Sequence, residues 1–236
     1  MRVGSGVFRL SYLPEDAESE ERVKVALAQA VPLAERWGAF RSPVDVQIHP
    51  NHAALEAATG LHEVPWVRGW ARYGSLDLQS PRTWSHGPAS ESDLGTFITH
   101  ELTHCVMYQA AAAAGTRDTR QVPAWFSEGM ASVTAGEYHQ AGYEAIWRVY
   151  RELPKSGENP LATPALFRSS QLLYGTAHLA FQFLLDVQGE QRIRRIMAHM
   201  GAGHSFEEAF TLATGESVAE FEHAFWRHVL SETWRE

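Results

Sequence analysis

Apolar and polar positions alternate over two stretches near the start of the chain. A period of two sends successive side chains to opposite faces of a strand. Val7 to Tyr12 is the first such stretch; Val44, Val46 and Ile48 mark the second, from Val44 to His49. Between them, Glu15 to Trp37 carries Val23, Leu27 and Ala30 at helical spacing, which predicts a long helix with one buried face. Asn51 precedes a short apolar run that stops at Gly60, a helix with a polar cap and a glycine end. Trp66 to Tyr73 and Ser75 to Leu78 read as two more strands, hinged near Gly74.

From Pro88 onward the period becomes helical. Ser90 or Ser92 can cap a helix from about Asp93 to Tyr108, and the alanine-rich stretch Ala110 to Ala114 leads into a polar connector, Gly115 to Gln121. Pro123 suits the first turn of the next helix, Ala124 to Ala135. A further helix is expected over Glu137 to Leu153, then a loop over Lys155 to Pro164. The last third reads as four helices in series. Ser169 or Ser170 opens one that Gly189 ends, and another runs to Met200 with Gly201 beyond it. Ser205 with Glu208, and Ser217 with Glu220, match the capping box. The expectation is an α+β chain acting as one catalytic domain. Residues 1–115 form a lobe with a small mixed sheet and residues 116–236 an all-helical lobe, with the change near residues 110–122.

Composition narrows the partners. The net charge is −8, with no Lys/Arg cluster, which argues against nucleic acid or an anionic membrane. No apolar run approaches the roughly 20 residues of a membrane span. The single cysteine, Cys105, rules out an internal disulfide and fits a reducing compartment. Met1 to Leu10 lacks the apolar core of a signal peptide, so a cytoplasmic location is expected. Oligomeric state is left open, with a monomer slightly favoured.

The candidate chemistry sits on the Asp93–Tyr108 helix. Leu94, Phe97, Ile98, Leu102, Cys105 and Val106 share one broad apolar face, and His100 and His104 stand on its edge. Four residues apart on a helix, two imidazoles share a face with Cβ atoms about 5–6 Å apart. They can then share one Zn²⁺ at about 2.0–2.1 Å each. Glu101, turned about 100° from His100, can reach a water on the metal without ligating it. His100-Glu101-Leu102-Thr103-His104 is thus a metal pair plus a general base, the logic of H-E-x-x-H. A catalytic zinc site has three protein ligands. The best third is Glu128, 24 residues after His104, in Trp125-Phe126-Ser127-Glu128-Gly129. Trp125 and Phe126 anchor its helix, and Gly129 is expected to permit close packing against the metal helix. Glu137 is a weaker rival, at the start of the next helix. Cys105 reads as a small core residue. His223 and His228, five apart, do not share a face and read as non-ligands.

H-E-x-x-H followed by W-F-x-E-G resembles the gluzincin metallopeptidases, above all the peptidase MA-like group. In parts it is similar to aminopeptidases of the leukotriene A4 hydrolase and aminopeptidase N type. The resemblance covers about Pro65 to the C-terminus, with motif-level matches only. It implies a zincin-like two-lobe fold, one Zn²⁺ held by His100, His104 and Glu128, and Glu101 as general base. Related enzymes often carry an acid four residues after the third ligand to orient a ligating histidine; here Ser132 stands in that place. Tyr174-Gly175-Thr176-Ala177 looks like the Y-x-x-G helix start whose tyrosine steadies a tetrahedral intermediate. His178, one turn on, is an alternative or second donor. For the substrate, Gly69, Trp70 and Ala71 form the strand best suited to pair with an extended peptide; the competing expectation is a plain strand with Trp70 in the core. Three functions compete on this reading. They are a zinc peptidase acting on a peptide or small protein, a catalytically silent metal-binding interaction module, and a zinc hydrolase of a non-peptide amide or ester.

Overall fold

The computed structural model describes residues 1–84, 87–113, 122–137, 143–152, 161 and 170–231. The connector expected at 115–121, most of the loop expected at 155–164, and Ser169 lie outside the described residues. The fold is α+β, and the chain divides into two compact units, Met1–Ala112 and Ala113–Glu236.

The first unit contains a five-stranded mixed sheet in the order β1-β2-β3-β5-β4. Its strands are β1 (Arg2–Val3), β2 (Gly6–Ser11), β3 (Val44–His49), β4 (Gly69–Arg72) and β5 (Ser75–Gln79). β2, β3 and β5 run parallel, with β1 and β4 antiparallel at the two ends. Alternation fixes the faces. Val44, Val46, Ile48, Leu76 and Leu78 are buried, while Asp45, Gln47, His49 and Asp77 take the other face.

α1 (Ala17–Ala34) packs along α3 (Glu91–Ala111), burying Val23, Leu27, Ala30 and Val31 with Leu94, Ile98, Leu102 and Val106. α2 (His52–Thr59) has the expected ends. The Asn51 side chain accepts from the Ala54 N–H, and Gly60 closes the helix at φ 73°. A left-handed φ costs glycine little, which is why the helix ends there.

α3 is fixed at both ends by polar side chains. At its start, Ser90 and Asp93 form a capping box, with Ser90 Oγ accepting from the Asp93 N–H at 3.0 Å. Near its end, the buried Gln109 accepts from the Arg41 and Ser42 N–H groups at 2.7 and 2.9 Å. It also donates to the Tyr73 and Ser42 carbonyls at 2.7 and 3.2 Å. That uses all four valences of the amide, so α3 is registered against the loop before β3 and the β4–β5 turn.

The second unit is helical over its described residues: α4 (Ala124–Ala135), α5 (Tyr143–Glu152), α6 (Ser170–Gln188), α7 (Glu190–Gly201), α8 (Phe206–Thr214) and α9 (Val218–Leu230). α4 packs on α6 around Phe126 and Phe181, 5.4 Å apart edge to face. Trp125, Phe206, Phe210 and Phe221 continue that aromatic core. The capping boxes at Ser205/Glu208 and Ser217/Glu220 both form. Three boundaries differ from expectation. Pro123 is the N-cap of α4 rather than a first-turn residue. Glu137 follows the left-handed Gly136 and lies outside any helix, α5 being described from Tyr143. Gly201 is the last residue of α7. No helix among the described residues is long and apolar enough to cross a membrane.

Candidate metal site

His100 and His104 lie on adjacent turns in the middle of α3. Their Nε2 atoms are 3.2 Å apart, with ring centroids at 4.9 Å and ring planes inclined by 75°. Two nitrogens bound at about 2.05 Å to one tetrahedral ion stand roughly 3.3 Å apart. The pair therefore has the spacing that a shared ion requires. His104 is buried, His100 half-buried. Tyr108, one turn further on, stacks on His104 at 5.7 Å and 13°. Tyr108 belongs to no motif; its place four residues after His104 sets it on the same helix face. Glu101 is buried beside the pair at 8% exposure.

His100, His104 and Glu128 each offer one atom of a type that ligates metals. Among the described residues this is the group of His, Cys, Asp and Glu that could hold a metal ion. Two imidazoles and a carboxylate are a donor set suited to zinc, though the same set serves other divalent ions.

Gly129, next to Glu128, meets α6: a Cβ there would lie 2.2 Å from the Ala177 carbonyl oxygen and 2.5 Å from Phe181 Cβ. The glycine thus sets the approach of α4 to α6. Ser132, fully buried one turn after Glu128, has its Oγ 2.8 Å from His178 Nδ1. The hydroxyl in the acid's usual place therefore meets a histidine of α6. His178 stands one turn after Tyr174, and both are half-buried.

Cys105 faces the sheet, fully buried, with Sγ 3.9 Å from the Ser75 carbonyl oxygen. Burial first, and the nearby Glu101 charge second, push its thiol far above the usual range. That is the environment of an inert core thiol. His228 stacks on Phe183 at 4.6 Å, and His223 lies 6.0 Å from Trp226.

Gly69, Trp70 and Ala71 lie on β4, the end strand of the sheet, which packs against α3. Gly69 is buried, and a Cβ there would sit 2.6 Å from the Phe97 ring, so the glycine lets α3 seat Phe97 on the strand. Trp70 is 41% exposed and is not a core residue.

No protein-family model matches this chain, and comparison with curated proteins gives no match either.

Proposed function

We propose that this chain is a zinc-dependent hydrolase of the gluzincin type, cleaving peptide bonds in a zincin-like catalytic domain. The observation that carries the reading is the His100–His104 pair, preset at 3.2 Å between Nε2 atoms, with Glu128 as the third donor. Zinc held by these residues would supply a Lewis acid and lower the pKa of a water at neutral pH. Glu101 is the general base. It would take a proton from the attacking water as the water oxygen bonds to the carbonyl carbon, and pass it to the amine nitrogen as the C–N bond breaks. Tyr174 and His178 are the donors to the substrate carbonyl oxygen as charge develops there. Ser132 positions the His178 ring through Nδ1 at 2.8 Å. Ala71 on β4 pairs with the substrate main chain.

The test is E101Q in the full chain. The variant should retain zinc at unchanged stoichiometry by mass spectrometry of the metal. Its hydrolysis of a fluorogenic peptide set should fall by about 10²–10⁴, the range for loss of a general base. Undiminished cleavage by E101Q would end the mechanism, and failure of the wild-type chain to bind zinc would end the whole reading.

A further inference from the structure

We infer that Trp70 selects the substrate: the chain takes an extended peptide along β4 and prefers an aromatic or large aliphatic side chain opposite the indole. This rests on the peptidase reading and names its substrate class. β4 is the last strand of the sheet order, and its residues Gly-Trp-Ala-Arg carry no proline, lysine or bulge that would blunt an edge. The hydrogen-bond phase fixes what the edge offers. The Gln79 N–H donates to the Arg68 carbonyl at 2.7 Å, and Trp70 pairs with Asp77 two steps further along the ladder. In an antiparallel pair, main-chain groups of alternate residues point toward the partner strand. Arg68, Trp70 and Arg72 therefore direct their N–H and C=O groups at β5. Ala71 directs its own outward, where no strand among the described residues pairs with it. Ala71 is half-buried and Gly69 lies beneath Phe97, so Ala71 is the anchoring residue.

The side chains follow from the same phase. Trp70 and Arg72 share the face that carries Asp77, away from α3. Arg72 already donates to Asp77 Oδ2 at 2.7 Å, and Asp77 Oδ1 is 2.8 Å from His49 Nε2. The charged groups on that face thus engage one another, while the indole is 41% exposed. Whichever way an added strand runs, its residue opposite Trp70 turns its side chain onto the indole. Phe97, three residues before His100, seats this edge against the metal helix. A peptide held there lies along the element that carries Glu101.

The experiment measures binding of fluorescein-labelled octapeptides to full-length, zinc-loaded E101Q by anisotropy, with one Phe moved along an Ala/Thr host. Phe at one position should tighten binding about two- to fivefold, the range of a cross-strand aromatic pair. W70A should abolish that preference and W70F should keep part of it. As a readout independent of any variant, N-methylation of alternate peptide amides should weaken binding while methylation of the intervening ones does not. No positional preference, a preference unchanged in W70A, or indifference to methylation overturns the inference. The two readings fail separately. Cleavage by wild type without a Trp70-dependent preference removes this inference alone. Trp70-dependent binding with no cleavage by zinc-loaded wild type removes the peptidase reading alone.

Discussion

Replacing Gly129 with alanine probes the contact that sets α4, and hence Glu128, against α6. The added Cβ would lie 2.2 Å from a backbone oxygen, Ala177 O, and 2.5 Å from Phe181 Cβ, where ordinary contact begins at 3.4 Å. Backbone cannot swing aside as a side-chain tip can, so the helices must part by about 1 Å, at an overpacking cost of about 1–3 kcal/mol. Separation also loosens the Phe126–Phe181 ring contact at 5.4 Å. Alanine's better helix propensity offsets about 1 kcal/mol of this. At the middle of that range the net loss is about 1 kcal/mol, which lowers Tm by about 2–4 °C in a chain of this length. G95A is the control. It lies inside α3, where the new Cβ would meet nothing closer than Gln29 Oε1 at 3.7 Å. There propensity acts alone and should raise Tm by about 2–4 °C. Thermal melts by circular dichroism read both. A G129A protein that melts at or above wild type, with G95A behaving as stated, refutes the close-approach argument.

Two further outcomes follow from the electrostatics and burial. The Ser217 N–H and hydroxyl hold the Glu220 carboxylate below its ordinary value, so the capping box contributes stability above the unfolded pKa of about 4.3 and loses it as pH falls through the folded value. The Tm deficit of E220A should therefore be constant from pH 8 to about 5 and shrink below about 4.3; a deficit unchanged at pH 3 contradicts it. Cys105 is fully buried with its thiol pushed far up, so a disulfide reagent should leave it unmodified in the native chain and label it stoichiometrically in guanidinium. Rapid native labelling would place Cys105 elsewhere.

Local signals were the ones the sequence carried plainly. Asn51 and Gly60 bound α2, and the serine–glutamate pairs of α8 and α9 close as capping boxes, because each depends on residues within one turn. The histidine pair was equally legible, since helical spacing alone brings Nε2 to Nε2. What failed to show was non-local. The role of Gln109 was not legible, because its four partners come from the segments at 41–42 and 73. That Gly129 closes on Ala177 and Phe181 was not legible either, since a glycine announces a close approach but not what approaches. Ser132 meeting His178 required α4 and α6 to be docked first. The two-residue β1 is too short for any alternation to register.

Because Ser90, Asp93 and Gln109 fix α3 at both ends, folding of the chain, not arrival of an ion, brings the two histidines together. A zinc finger gathers its ligands around the metal and is unfolded without it. Here two of the three candidate donors are placed by the fold itself, so the conformational entropy of bringing them together would be spent before any ion is captured. The metal-free chain should remain folded and dialysis against a chelator should strip the ion without melting the sheet. On the metal-hydrolase proposal such a protein would fold first and be loaded afterwards, its occupancy rising and falling with the supply of the ion.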